Sequence, residues 1–349
     1  MPGLSPVTIF NSKKNKMRHL SKYSGFVFLL AAAPLFFTGS CKKNNYALPN
    51  LPNKLQNEAI KRTLGPNIVG QQIEFAYAMA IKPNFGKLVS CLAEASIPGA
   101  PGTFMENRSF YTAQTGADVG ITVGTPSVTV GTATTVTYNR DTSAATLRYY
   151  YVIPEAARGK TVTFRFTATS SDGEKISTLM GPYTITKMDM KLNLKLSDNN
   201  LMYISIGDTA VYNAADAAAH AASIDLVYLY RNLTTSAFNH ALVAPAADPQ
   251  YLPGVTLPAG VNRTAKLLKE FNMQDHNLAP GLQYGTLFID DVDFQKLDLT
   301  GDPNFAINLK QEAGVWVETA DGKYRAYIFM NTVAAAGTAT ISMKRYALK

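Results

Sequence analysis

Apolar and polar positions alternate with a period of two along much of the chain beyond residue 70. In residues 70–79, Ile73, Phe75, Tyr77 and Met79 fall on one face, as a half-buried strand requires when successive side chains point to opposite sides of a sheet. In residues 161–169 (TVTFRFTAT), Val162, Phe164 and Phe166 point one way and Thr163, Arg165 and Thr167 the other. Residues 119–130 (VGITVGTPSVTV), 134–138, 146–153 (TLRYYYVI) and 181–186 add β-branched and aromatic runs punctuated by Gly and Pro. Ser170-Ser171-Asp172-Gly173 supplies a hairpin turn between two of these runs. Short strands with turn signals at intervals of about ten residues are the signature of a sandwich. The pattern predicts an Ig-like β-sandwich over residues 58–187.

The remaining chain, residues 188–349, alternates again in 190–196 (MKLNLKL), 201–206, 224–230 (IDLVYLY), 284–289, 315–318 (VWVE), 324–330 and 338–343. Two segments carry helix propensity instead: residues 213–222 (NAADAAAHAA), and 264–272 (TAKLLKEFN) with Thr264 placed as a cap. Asp321-Gly322 is a hairpin signal of the type I′ kind. The expectation is mainly β: an Ig-like sandwich followed by a β-rich domain with one to three short helices. No internal repeat recurs at a fixed period.

The opening of the chain obeys different rules. Lys13, Lys14, Lys16, Arg18 and Lys22 precede the apolar run of residues 25–37 (GFVFLLAAAPLFF). A basic segment, a short apolar stretch and small residues after it make a secretory signal over residues 1–40. The run is shorter than the about 20 residues a membrane span needs, and Pro34 interrupts it. Met17 would open a signal of ordinary proportions, so Met1 and Met17 both stand as starts. Thr38-Gly39-Ser40-Cys41 resembles a bacterial lipobox, with Thr38 where the usual box carries Leu. That resemblance implies lipidation of Cys41 and a lipoprotein of the outer membrane, facing either the cell surface or the periplasm. Anchoring by more than one acyl chain is stable. Residues 41–57, rich in Lys, Asn and Pro, read as a flexible tether.

Charge changes the picture once the signal is set aside. The whole chain has a net charge of +8, but the five basic residues named above lie in the signal and no acidic residue does. Subtracting five from 33 leaves 28 Lys and Arg against 25 Asp and Glu, with no long basic stripe, which excludes a nucleic-acid footprint. With Cys41 committed to lipid, Cys91 has no disulfide partner. It lies in an apolar run and reads as a core residue. About 300 residues after the signal exceed what one core supports, which fits two domains.

The stretches LRYYYVIPE, GPYTITKMDM, IDLVYLYRN, FNHALVAP, FIDDVDF, DGKYRAYIFMN and SMKRY resemble an uncharacterised family of Bacteroidota cell-envelope lipoproteins. In that family an Ig-like unit precedes a β-rich C-terminal domain. The resemblance implies an envelope lipoprotein tied to polysaccharide capture or to envelope structure, and it carries no activity.

Candidate chemistry is sparse. GxSxG, Walker and HExxH motifs are absent from the sequence, and the expectation is a non-enzymatic protein. His220, His240 and His276 lie in unrelated stretches, without metal-ligand spacing. Asp290, Asp291 and Asp293 offer several oxygen ligands close together and stand as the candidate calcium site, with Asp298 and Asp302 nearby. Read as a strand, this segment puts Asp291 and Asp293 on one face. Sugar rings stack on flat aromatic faces, so Tyr149, Tyr151 and Trp316 are the candidate ligand-binding residues, Trp316 facing outward if Val315 and Val317 form the core. The leading expectation is a lipid-anchored module that binds or presents polysaccharide through its C-terminal domain. The alternatives are a structural or adhesive subunit that pairs sheet edges with other envelope proteins, and a glycan hydrolase using Asp291 and Asp293.

Overall fold

The alternation in TVTFRFTAT becomes a strand whose Val162, Phe164 and Phe166 are fully buried while Thr161 and Arg165 face solvent. The computed structural model describes residues 52–349 apart from 234–235, 272 and 280–286. Its first half contains β1 (Gln56–Lys61), β2 (Gln72–Ala80), β3 (Leu88–Ala95), β4 (Phe104–Met105), β5 (Arg108–Thr112), β6 (Asp118–Thr122), β7 (Val128–Val130), β8 (Ala133–Thr137), β9 (Ala144–Val152), β10 (Thr161–Ser170) and β11 (Lys175–Thr184). Two antiparallel sheets, β1-β2-β9-β4 and β11-β10-β3-β8-β7, enclose one core, and β5–β6 form a separate hairpin. The orders β1-β2-β9 and β11-β10-β3 are those of strands A-B-E and G-F-C in an Ig sandwich.

The sandwich core is aromatic. Phe164 sits with its ring centroid 4.8 Å from Phe75 and 4.9 Å from Tyr151. Cys91 is buried in the same cluster, and burial pushes its thiol up to about 12. The first strand starts inside the segment read as tether: Leu55 is buried, and Asn57 donates to the Tyr77 hydroxyl at 3.0 Å.

The second half runs β12 (Met188–Ser197), β13 (Tyr203–Ser205), β14 (Ala210–Tyr212), α1 (Ala214–Ala219), β15 (Leu226–Leu233), β16 (Ser236–Val243), β17 (Lys266–Glu270), α2 (Asp291–Lys296), β18 (Phe305–Leu309), β19 (Gly314–Glu318), β20 (Tyr324–Ala334) and β21 (Thr338–Ala347). Sheet β14-β13-β15-β16-β18 packs on sheet β12-β21-β20-β19-β17 through a large aliphatic core. The far face of the second sheet carries another core, in which Trp316, Tyr327, Phe329 and Tyr346 meet Phe294 of α2, Leu278, Ile289 and Ile68 of the first half.

Three expectations change here. The described part of residues 264–272 is no helix: β17 pairs with β19, Leu267 opposite Val317, and Leu267 is buried. Sheet pairing and burial outweigh a local helix preference of a few tenths of a kcal/mol per residue, about 0–0.7. The Asp290 segment is the start of α2, not a strand. Asp321-Gly322 lies within a five-residue connection, 319–323, rather than a two-residue turn. There Asp321 Oδ1 accepts from Thr319 Oγ1 at 2.8 Å and from the Lys323 N–H at 3.1 Å, and Gly322 supplies a φ of 60°. Half of the expected strand 284–289, residues 284–286, lies outside the described residues.

The two halves are joined by polar contacts at residues 187–189. Arg158 donates to the Lys187 and Met188 carbonyls, both at 3.1 Å, and to Asp189 Oδ1 at 2.7 Å. The Lys187 N–H donates to Asp291 Oδ2 at 3.0 Å.

Candidate functional site

The aromatic residues proposed for sugar stacking are structural. Tyr149 and Tyr151 are 1% and 0% exposed, inside the sandwich core. They share the inward face of β9, and Tyr150 is the tyrosine that reaches the rim, stacked on Phe104 at 4.9 Å. Trp316 is 5% exposed, 5.4 Å from the Phe294 ring and 4.6 Å from Tyr327. Its neighbouring valines do form a core, but the sheet is covered on both faces, so the opposite side is buried as well.

The aspartates proposed for calcium are spent on helix geometry. Asp290 caps α2, its Oδ1 accepting the Val292 N–H at 2.8 Å, while Asp293 Oδ2 accepts the Asp290 N–H at 2.8 Å. This is a capping box. Asp291 turns to the domain junction described above, where burial raises its carboxyl above the ordinary value. Among the described residues no three His, Cys, Asp or Glu side chains are placed to hold a metal. Cys41 lies outside the described residues. His240 is buried, 2.7 Å from the Tyr228 hydroxyl, and burial lowers its pKa.

A polar cleft of about 220 Å³ opens instead in the C-terminal half, lined by Asp208, Asp225, Arg263, Asp321 and Tyr324 among others. Four separated segments build it: the turn after β13, the approach to β15, Arg263 ahead of β17, and the β19–β20 connection with the first residue of β20. Its floor is Asp225, whose side chain is 2% exposed. Asp225 Oδ2 accepts the Ile206 N–H at 2.9 Å. Asp225 Oδ1 lies 3.1 Å from Arg263 Nε but off the line of a hydrogen bond, and both atoms lack another partner. Arg263 Nη2 reaches Asp321 Oδ2 at 3.1 Å. Burial pushes the Asp225 carboxyl up to about 6, against the Ile206 N–H and Arg263. Asp321 goes the other way: although burial opposes it, donation from Thr319 and Lys323 and the Arg263 charge hold it well below the usual carboxylate range.

The cleft wall adds the Ser223 and Thr319 hydroxyls and the Tyr324 ring, and Tyr212 and His220 lie behind it. Asp208 Oδ2 accepts from Ser223 at 2.9 Å and from the Tyr212 hydroxyl at 3.2 Å. Tyr212 stacks on His220 with centroids 4.4 Å apart and planes at 10°. Tyr324 is half-buried and carries the Arg345 guanidinium 4.8 Å from its ring centre. The cleft is smaller than the about 300–1,000 Å³ of drug-sized sites and has room for one ring-sized polar group. A larger depression of about 440 Å³ lies over β1, β2 and β9, but it is shallow, with Ala78, Ala80, Ala144 and Ala145 in its lining and Glu58 as its one charged residue. The C-terminal cleft is therefore the better site. Sequence reasoning passed over it because its residues are scattered. The one available signal was Asp225, an acid at the head of the apolar run IDLVYLY.

The chain matches the domain of unknown function DUF4466 over residues 52–185 and the domain of unknown function DUF8576 over residues 186–348. A solved DUF4466 family protein from Parabacteroides merdae, of the phylum Bacteroidota, is 44% identical and superposes with a TM-score of 0.80. That match covers 85% of this chain and all of the other. BcpA, the major pilin subunit of Bacillus cereus, is 8% identical over 83% of this chain and 65% of its own, with a TM-score of 0.27. An uncharacterised Nocardia farcinica protein with an immunoglobulin-like fold is 12% identical over 35% of this chain and 81% of its own, with a TM-score of 0.19. No curated protein matches the chain.

Proposed function

The chain belongs to the DUF4466 family, and we propose that it is a lipid-anchored cell-envelope protein that binds polysaccharide through the C-terminal cleft. The observation that carries this reading is the Asp225–Arg263 pair, buried but open to the cleft, with the Ser223 and Thr319 hydroxyls and the Tyr324 ring in its lining. A saccharide presents adjacent hydroxyls that both donate and accept. Carboxylates and a guanidinium make charge-assisted hydrogen bonds to such groups, stronger than neutral ones. A tyrosine face supplies apolar contact for the C–H side of the ring. The sandwich would hold the cleft away from the membrane, and Cys41 would carry the acyl chains.

Melting of the purified chain in the presence of oligosaccharides tests the binding half of this reading, because a ligand specific for the folded state raises Tm. A rise for at least one glycan supports it, and no shift across a broad panel contradicts it. Membrane fractionation with Cys41→Ala tests the anchor. Release of the variant from the membrane supports lipidation, whereas unchanged fractionation removes the anchor from the account.

A further inference from the structure

Lys344, on β21, and Asp275, in the segment after β17, are both 0% exposed. Their contact is close: Lys344 Nζ lies 2.6 Å from Asp275 Oδ2. A third side chain completes the group. Nζ is also 3.0 Å from Asn277 Oδ1 and 2.8 Å from the Ile289 carbonyl. Asp275 is oriented by three backbone N–H donors, those of Asn277 at 2.8 Å, Leu278 at 3.2 Å and Ile289 at 2.6 Å. Lys344 lies on the same face of β21 as Tyr346, the face that meets the aromatic core of Trp316, Tyr327 and Phe294.

An amine and a carboxylate, both shut off from water, held beside a half-buried carboxamide form a reactive set. The amide carbon of Asn277 is bonded to Oδ1 at about 1.2 Å, so it lies within about 4.2 Å of Nζ, a short shift from the range of about 3–3.5 Å from which bonds form. Burial of two charges carries a desolvation penalty of several kcal/mol per ion, about 20 in the ideal limit. A reaction that abolishes both charges is favoured in such a place.

We propose that Lys344 and Asn277 form an intramolecular amide cross-link, with Asp275 as the proton carrier. Asp275 takes one proton from the Lys344 ammonium and leaves a neutral amine. The Nζ lone pair attacks the Asn277 side-chain carbonyl carbon, forming the C–N bond and moving the carbonyl π electrons onto Oδ1. The second proton leaves Nζ for Asp275 as Asp275 protonates Nδ2, the carbonyl reforms, and the bond to Nδ2 breaks. Ammonia leaves, the new amide keeps one N–H, and Asp275, having given its first proton to Nδ2 and taken the second from Nζ, is left as a neutral acid. Nothing is oxidised or reduced. Burial already holds the Lys344 ammonium below its ordinary pKa, although Asp275 opposes the shift, and this favours the neutral amine that attacks. The bond would staple the segment after β17 to β21, residues 67 apart in sequence.

The mass of the purified, denatured chain decides the matter. The cross-link makes the chain lighter than its sequence by one ammonia. A digest then yields one branched peptide joining the Asn277 and Lys344 fragments. Lys344→Met and Asn277→Ala restore the unlinked mass. Asp275→Asn does so too, in protein whose fold is checked by Trp316 fluorescence. Folded wild-type chain with the full sequence mass and two separate peptides overturns the proposal. A linked and folded Asp275→Asn variant overturns the role given to Asp275.

Discussion

Asp225 and Asp321 hold the same guanidinium, each with one carboxylate oxygen 3.1 Å from a nitrogen of Arg263, yet their acidities are driven apart. Asp225 is at the floor of the cleft, where burial favours its neutral form, and Asp321 is at the rim, where donors favour the anion. Neighbouring carboxyls with separated pKa values mark a site where protonation is controlled by environment.

The pair predicts a pH dependence of stability with a definite sign. The Asp225 carboxyl sits at about 6 in the folded chain, above an unfolded value of about 3.9. Folded protein therefore holds a proton that unfolded protein releases between these values. The resulting stabilisation is complete below the unfolded pKa and is lost as pH rises through the folded one. Urea titrations should show wild type losing on the order of 1–3 kcal/mol relative to Asp225→Asn between about pH 4 and 7. Asp321 acts in the opposite sense, its contribution present above the ordinary carboxylate pKa and lost at more acid pH.

Tyr149 separates core packing from ligand binding. Its ring meets Phe166 edge-on at 5.8 Å and Phe164 at 6.2 Å. Tyr149→Ala should destabilise the chain by about 3–5 kcal/mol in denaturant titrations, and the folded fraction should keep its full glycan affinity.

The capping box makes Asp290 a stability residue. Asp290→Ala should cost about 0.5–2 kcal/mol through the lost cap. Added calcium and added chelator should both leave the wild-type Tm where it is. A rise in Tm with calcium alone would return a metal to this segment.

Much of the fold was legible because the sandwich strands are covered on one face. In TVTFRFTAT and in 70–79 the alternation names the buried side chains correctly. The second sheet of the C-terminal half hid its design, since cores on both faces give β19 the burial of Gly314, Val315, Trp316 and Val317 without alternation. Nothing in VWVE alone reveals a second cover. Residues 264–272 misled for a related reason: a helix-prone segment was recruited as an edge strand by β19. The cleft was the least legible part. Asp208, Asp225, Arg263 and Asp321 are brought together by sheet pairing over more than a hundred residues, and no local pattern encodes that.

Arg158 holds the junction of the two halves through the carbonyls of Lys187 and Met188. Arg158→Ala removes these bonds together with the ion pair to Asp189. Limited proteolysis of the variant should cleave near residues 185–190 faster than in wild type, while the sandwich and the C-terminal half survive as fragments.

Titration calorimetry of the purified chain against a panel of soluble host, plant and microbial polysaccharides tests the central claim most directly, with Asp321→Asn and Tyr324→Ala measured beside wild type. Binding of at least one polysaccharide by wild type, weakened about tenfold or more in both variants, a loss of about 1.4 kcal/mol, is the predicted result. Folded wild type that binds none of the panel, or binding that both variants leave intact, would contradict it.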